Sequence, residues 1–228
     1  MRRIAALVLA ALAPLAAIAA QPAAAQTIVY EEVIEEEFLV ETGGERFVEA
    51  HAAPAPKGIA SYGPFRVIDG RTAALVGVTD ATAPFRFADM LRAYPGIAVL
   101  ELVECPGTED DLANLRLGRM IRARGIATHV PANGSVRSGA VELFLAGARR
   151  SADPGAEFAV HAWMDDTGRE ATDYSATAPE NAKYLAYYQA MGMSPAEARA
   201  FYAMTNSVPN ADAKWLDAAE MAKWVRLD

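Results

Sequence analysis

With 29 acidic against 21 basic residues over 228 positions, and the basic ones scattered rather than striped, the chain lacks the cationic surface that phosphate neutralisation requires, so nucleic acid is not an expected partner. Hydrophobic residues make up 53% and charged residues 22%, the balance of a chain that buries a core rather than one that stays disordered. A single cysteine, Cys105, and three histidines exclude an intramolecular disulfide framework and a Cys/His zinc pattern, so no cofactor or metal is expected.

Met1-Arg2-Arg3 opens onto an apolar, alanine-rich run from Ile4 to Ala20, then Gln21-Pro22-Ala23-Ala24-Ala25, whose small residues suit a signal peptidase. Pro14 interrupts the run, which therefore reads as a signal peptide over residues 1–25, cut after Ala25, rather than as a membrane anchor. The mature chain is expected in the periplasm or secreted, without membrane association. Residues 26–60 read as an acidic N-terminal arm and linker: Glu35-Glu36-Glu37 beside Phe38-Leu39-Val40, a Thr42-Gly43-Gly44 turn, then Pro54-Ala55-Pro56-Lys57-Gly58.

From residue 61 the pattern is that of one α/β domain reaching Asp228. Phe65 to Ile68, Ala73 to Val78 and Ala98 to Leu102 are short strands of buried type, with a helix predicted between Thr79 and Tyr94. Pro106-Gly107 turns the chain into a helix over Asp110 to Arg124, with Thr108 as its expected N-cap and Leu112, Leu115, Met120 and Ile121 on roughly one face. A strand over Ile126 to Val130, an apolar helix over Gly139 to Ala148 and a strand over Phe158 to Ala162 follow. Helices are predicted from Pro179 to Met191 and, opened by the Ser194 to Glu197 capping box, as far as Met204. Strands alternating with helices imply a mainly parallel sheet covered on both faces.

Gly134-Ser135-Val136-Arg137-Ser138-Gly139-Ala140, followed by Leu143-Phe144-Leu145-Ala146-Gly147, resembles the nucleophile segment of the Clp protease proteolytic subunit and its crotonase-fold relatives. Asp153-Pro154-Gly155 leading to Phe158-Ala159-Val160-His161 resembles the turn and strand that deliver that family's histidine, 23 residues after the serine. Glu104-Cys105-Pro106-Gly107-Thr108 is similar to its oxyanion turn, and Trp215 to Trp224 to its C-terminal Ala-Glu-x-Ala helix. The resemblance spans Phe65 to Asp228 and implies a Clp protease/crotonase-like spiral of ββα units, preceded by the short acidic arm.

It further implies a serine peptidase with Ser138 as nucleophile, His161 as base, and the backbone amides of Gly107, Thr108 and Gly139 as the oxyanion hole. Those roles match what the chemistry needs, since a serine hydroxyl requires a neighbouring base and its tetrahedral intermediate requires oriented donors. For the third member Asp212 is the choice, with Asp165, Asp166 and Asp173 as other carboxylates after the histidine. Lys183 gives a minor Ser-Lys alternative.

Three departures from the family pattern carry expectations of their own. Thr108 replaces a second glycine, which would restrict a positive-φ amide. Arg137 replaces a small residue, and Glu142 one helical turn after the serine could pair with it across the entrance. The expected substrate or partner is a peptide or protein, in an exported hydrolase or in a catalytically inactive module of the same fold that binds a chain in the inherited groove. A homo-oligomer is also implied, with the tyrosine-rich helix from Pro179 to Met191 as one possible interface.

Overall fold

The computed structural model describes residues 54–228; the leader, the acidic run and His51 lie outside the described residues. Three short strands open the described chain as an antiparallel meander: β1 (Ala60–Tyr62), β2 (Phe65–Val67) and β3 (Thr72–Leu75). Phe65 and Val67 alternate inward around the half-exposed Arg66, as the two-residue period of a strand requires. α1 (Ala83–Ala93) then carries the chain to β4 (Val99–Leu102), which lies parallel to β3; parallel neighbours need such a crossover.

From β4 onward the chain repeats one unit: a strand in a large sheet, a strand in a second sheet, then a helix. The units are β4 with β5 (Glu104–Cys105) and α2 (Asp111–Ala123), then β6 (Ala127–Val130) with β7 (Ser135–Arg137) and α3 (Ala140–Leu145), then β8 (Arg150–Ala152) with β9 (Glu157–Val160) and α4 (Pro179–Ala190). The large sheet runs β1-β2-β3-β4-β6-β8, parallel from β3 on. The second runs β10-β9-β7-β5, with β5, β7 and β9 parallel and β10 (Lys214–Asp217) returning antiparallel beside β9. The fold is thus α/β with mainly parallel sheets, wound as a spiral of ββα units.

α3 is enclosed on every side, with all six of its residues buried. Phe144 of α3 packs on Phe158 of β9 at a centroid distance of 4.9 Å and a tilt of 54°, a favourable aromatic geometry that ties this helix to the second sheet. α4 and α5 (Pro195–Thr205) cover the end of the spiral, α5 being opened by the reciprocal Ser194/Glu197 capping box that its sequence announces.

Several local expectations are corrected. α2 is capped by Asp110, whose Oδ1 accepts from the Ala113 amide at 2.9 Å, because the Thr108 hydroxyl is already engaged with the Thr79 and Asp110 carbonyls. Leu112 is 68% exposed, the apolar face of α2 being carried instead by Leu115, Leu117 and Ile121. The segment from Trp215 to Trp224 is not one helix: Lys214–Asp217 pairs with β9, and only then does the short α6 (Ala218–Met221) begin, capped by Asp217. On α4, Tyr184, Tyr187, Tyr188 and Met191 are buried in this chain's own core rather than presented as an interface.

Candidate active site

The carboxyl ends of β5, β7 and β9 lie side by side, and each of the three sequence-predicted segments begins where one of these strands stops. Adjacent strands stand about 4.8 Å apart, so residues leaving their ends are brought within reach of one another. β7 ends at Arg137, and Ser138 continues its pairing by donating its amide to the Ala159 carbonyl of β9 at 2.9 Å. The backbone of Ser138 then turns to φ +51°, a left-handed conformation that costs a non-glycine residue ~1–2 kcal/mol. α3 starts two residues later. Strained strand-to-helix turns of this kind lift a side chain off the sheet edge and concentrate at functional sites.

Gly139 makes the turn possible by close approach. A Cβ there would sit 2.5 Å from Thr108 Cγ2 and 3.2 Å from Asn114 Nδ2. Asn114, buried in α2, donates from that nitrogen to the Gly139 carbonyl at 2.6 Å and accepts from the Thr79 hydroxyl at 3.0 Å, so the turn is pinned from the neighbouring helix. Nothing in the sequence singled out Asn114.

At the end of β5 the chain passes through Pro106-Gly107-Thr108. The positive φ of this turn, +140°, falls on Gly107, so Thr108 in the place of a second glycine carries no strain. Thr108 is bridged in parallel fashion to Thr79, through Thr79 N to Gly107 O at 3.1 Å and Glu109 N to Thr79 O at 2.8 Å. In such a bridge the amide of the central residue points away from its partner. Among the described residues, neither the Thr108 amide nor the Gly139 amide donates a hydrogen bond, and both residues border one cleft with Ser138 and His161. Gly107 supports this turn through its carbonyl but does not line the cleft. With only six residues, α3 contributes little dipole at the cleft.

His161 follows β9 and faces the same cleft. Its Nδ1 lies 2.9 Å from the Ala162 carbonyl and 3.1 Å from Asn210 Nδ2, which itself donates to that carbonyl at 2.8 Å. The arrangement free of lone-pair repulsion has Nδ1–H donating to the carbonyl, which leaves Nε2 with its lone pair. Nε2 is buried and has no hydrogen-bond partner. No hydrogen bond joins it to Ser138.

Among the described residues no carboxylate backs the histidine. Asp212 is exposed and its Oδ1 takes the amide of Ala213. Asp165 is committed to Thr167, Arg169 and Tyr174, interactions that hold its carboxyl below the ordinary range, and Asp173 accepts from the Glu170 amide. The residue beside His161 is Asn210, whose own amide is held by Glu170 Oε1 at 2.8 Å. Lys183 is turned away to Asp111, at 4.0 Å, and so offers no alternative base.

The expected Arg137 to Glu142 pair does not form. Alternation along β7 sends Arg137 to the face opposite Ser138, where it is buried against Glu104 of β5 and donates to Ser135 Oγ at 2.7 Å. Glu142 instead borders the cleft, 8% exposed, with Oε1 accepting from Tyr188 Oη at 2.8 Å. Burial, with a smaller push from Asp111, raises its carboxyl to about 7. Cys105 is fully buried, donates to the Leu75 carbonyl, and has its thiol pushed far up by burial, which removes it as a nucleophile.

No family model matches the chain, and no curated protein matches it. Among solved structures it is similar to a mutant of ClpP1 from Listeria monocytogenes, at 16% identity, over 68% of this chain and 88% of that one, with a TM-score of 0.48. It is also similar to a mutant of a membrane-bound stomatin-specific protease in complex with a substrate peptide, at 14% identity, over 67% of this chain and 73% of that one, with a TM-score of 0.42. Among the described residues no cluster of His, Cys, Asp or Glu is arranged to hold a metal, and no helix is long and apolar enough to cross a membrane.

Proposed function

We propose that this protein is a serine hydrolase of the Clp/crotonase type acting on peptides through an acyl-enzyme at Ser138, in an exported chain. The observation that carries the reading is the convergence of three strand ends on one cleft: a strained serine from β7, a histidine with a free Nε2 from β9, and two unpartnered amides from the turns after β5 and β7. In this reading His161 Nε2 takes the proton of the Ser138 hydroxyl as Oγ adds to a peptide carbonyl. The amides of Thr108 and Gly139 receive the resulting oxyanion, and the proton passes to the departing amine as the carbon–nitrogen bond breaks. Water, deprotonated by the same nitrogen, then releases the acid and restores the serine. Export is supported by the leader-like sequence over residues 1–25.

The lack of a carboxylate behind His161 favours a second reading, a binding module that retains the cleft without turnover. Labelling of the purified protein with a fluorophosphonate probe separates the two. The hydrolase reading expects a covalent adduct lost in Ser138→Ala and strongly slowed in His161→Ala; folded protein with no Ser138-dependent adduct favours the binding module.

A further inference from the structure

Part of the cleft is lined by carboxylate and aromatic groups that the acyl-transfer chemistry does not use. Trp163 and Tyr184 are stacked at 6.0 Å and 21°, and Tyr184 and Tyr202 at 5.9 Å and 29°, so three aromatic rings in one stack line the cleft. This wall already attracts a cation from outside the cleft: Lys183 Nζ lies 5.0 Å from the Tyr184 centroid and 5.5 Å from that of Trp163. Lys183 also answers Asp111 at the rim. Glu142 has no such answer. It is nine-tenths buried, forms no salt bridge among the described residues, and has a hydrogen bond to only one of its oxygens.

A carboxylate desolvated without a cation is costly, and a protein core retains one readily only where something else supplies the charge. Glu142 lies in the first turn of α3 and borders the same cleft as Ser138. A side chain that extends from a carbonyl at Ser138 into this cleft shares it with Glu142. An apolar side chain would seal Glu142 away unpaired, whereas a guanidinium or ammonium would pair with it and lie along the aromatic wall.

We infer that this part of the cleft is a specificity pocket for a basic side chain, arginine or lysine, with Glu142 as its anionic partner and Trp163, Tyr184 and Tyr202 as its aromatic wall. The inference rests on the proposed function for the placement of the substrate carbonyl, but its test needs no turnover.

The titratable or charged groups facing Glu142 are Tyr184, Tyr187 and Tyr188 of α4, Asp111 of α2, Tyr202 of α5 and, across the cleft, His161. None of these is an arginine or a lysine. The acyl-transfer residue is removed with Ser138→Ala in the full chain, and this protein is titrated calorimetrically with Nα-acetyl-argininamide, Nα-acetyl-citrullinamide and Nα-acetyl-norleucinamide. At about pH 8 the arginine compound is expected to bind at least about tenfold tighter than citrulline, its neutral near-isostere. At about pH 6 the preference shrinks, and binding is accompanied by proton release, read by repeating the titration in buffers of different ionisation enthalpy. Adding Glu142→Gln, an isosteric change checked for folding by circular dichroism, removes both the preference and the proton release. Tyr188→Phe, which deletes the donor to Oε1, weakens the preference at neutral pH.

Equal or tighter binding of either neutral compound, no binding by any of the three, or a preference that survives Glu142→Gln overturns the inference. Fluorophosphonate labelling of the unsubstituted protein reports separately on the hydrolase reading, so the two can fail independently.

Discussion

The two walls of the cleft are built in opposite ways. The serine wall is local: β7, Ser138, Gly139 and α3 are consecutive, and their geometry is dictated by a strand that runs out and a glycine that permits close approach. The histidine wall is assembled from far apart in sequence, with His161 at the end of β9, Ala162 supplying a carbonyl, and Asn210 arriving from beyond α5 under the hold of Glu170. A local wall can be read from a motif. A wall assembled at long range can be read only once the chain has closed.

Breaking the histidine wall at its centre has the largest expected effect. His161→Ala should slow fluorophosphonate labelling of Ser138 by about 10²–10⁴-fold, the usual contribution of a positioned base. The serine wall is challenged next by Gly139→Ala. The new methyl meets Thr108 Cγ2 at 2.5 Å, and thermal or urea unfolding should show a loss of ~1–3 kcal/mol, with slower labelling because the Thr108 amide is displaced.

Asn210→Ala sharpens the comparison. It removes the Nδ2 donor that shares the Ala162 carbonyl with His161 Nδ1–H while leaving that carbonyl in place, so a decrease of only about 5–10-fold in labelling rate is expected, equivalent to one neutral hydrogen bond. Asp212→Asn, exposed and bonded only to its neighbour's amide, should change the rate by less than about twofold. Were Asp212 the orienting group, the two results would be exchanged.

Glu142 supplies a test in pH. Its carboxyl titrates near 7 in the fold and near 4.5 in the unfolded chain, so between those values the folded form holds a proton that the unfolded form has lost. Stability from this group is therefore fully present below about 4.5 and declines as pH rises towards 7. Unfolding curves across that window should show the decline in the natural protein and its loss in Glu142→Gln.

What was legible in the sequence follows the same division. Hydrophobic runs and capping signals located most helices and the longer strands, because a strand buried on both faces and a capped helix each leave a mark within a few residues. The order of ββα units followed from those runs together with the family resemblance. Short strands left no such mark: β5 and β8 have two and three residues, and β10 lay hidden in a segment that reads as helical. That Ser138, Gly139 and His161 come together on one cleft was legible through motif and spacing. Asn210, Asn114 and the pairing of Arg137 with Glu104 were not, since each is decided by which strand or helix arrives next to it. Thr108 illustrates a misreading with a physical cause: the positive φ assigned to it falls one residue earlier, on Gly107.

The joint action of Ser138 and His161 is tested most directly with a peptidyl chloromethyl ketone and peptide mapping of the product. The serine oxygen adds to the ketone as a reversible hemiketal while His161 Nε2 displaces chloride, so a working pair gives one equivalent of protein alkylated at His161, and Ser138→Ala slows that alkylation sharply. No modification of His161, or alkylation at the same rate with and without the Ser138 hydroxyl, would contradict the account.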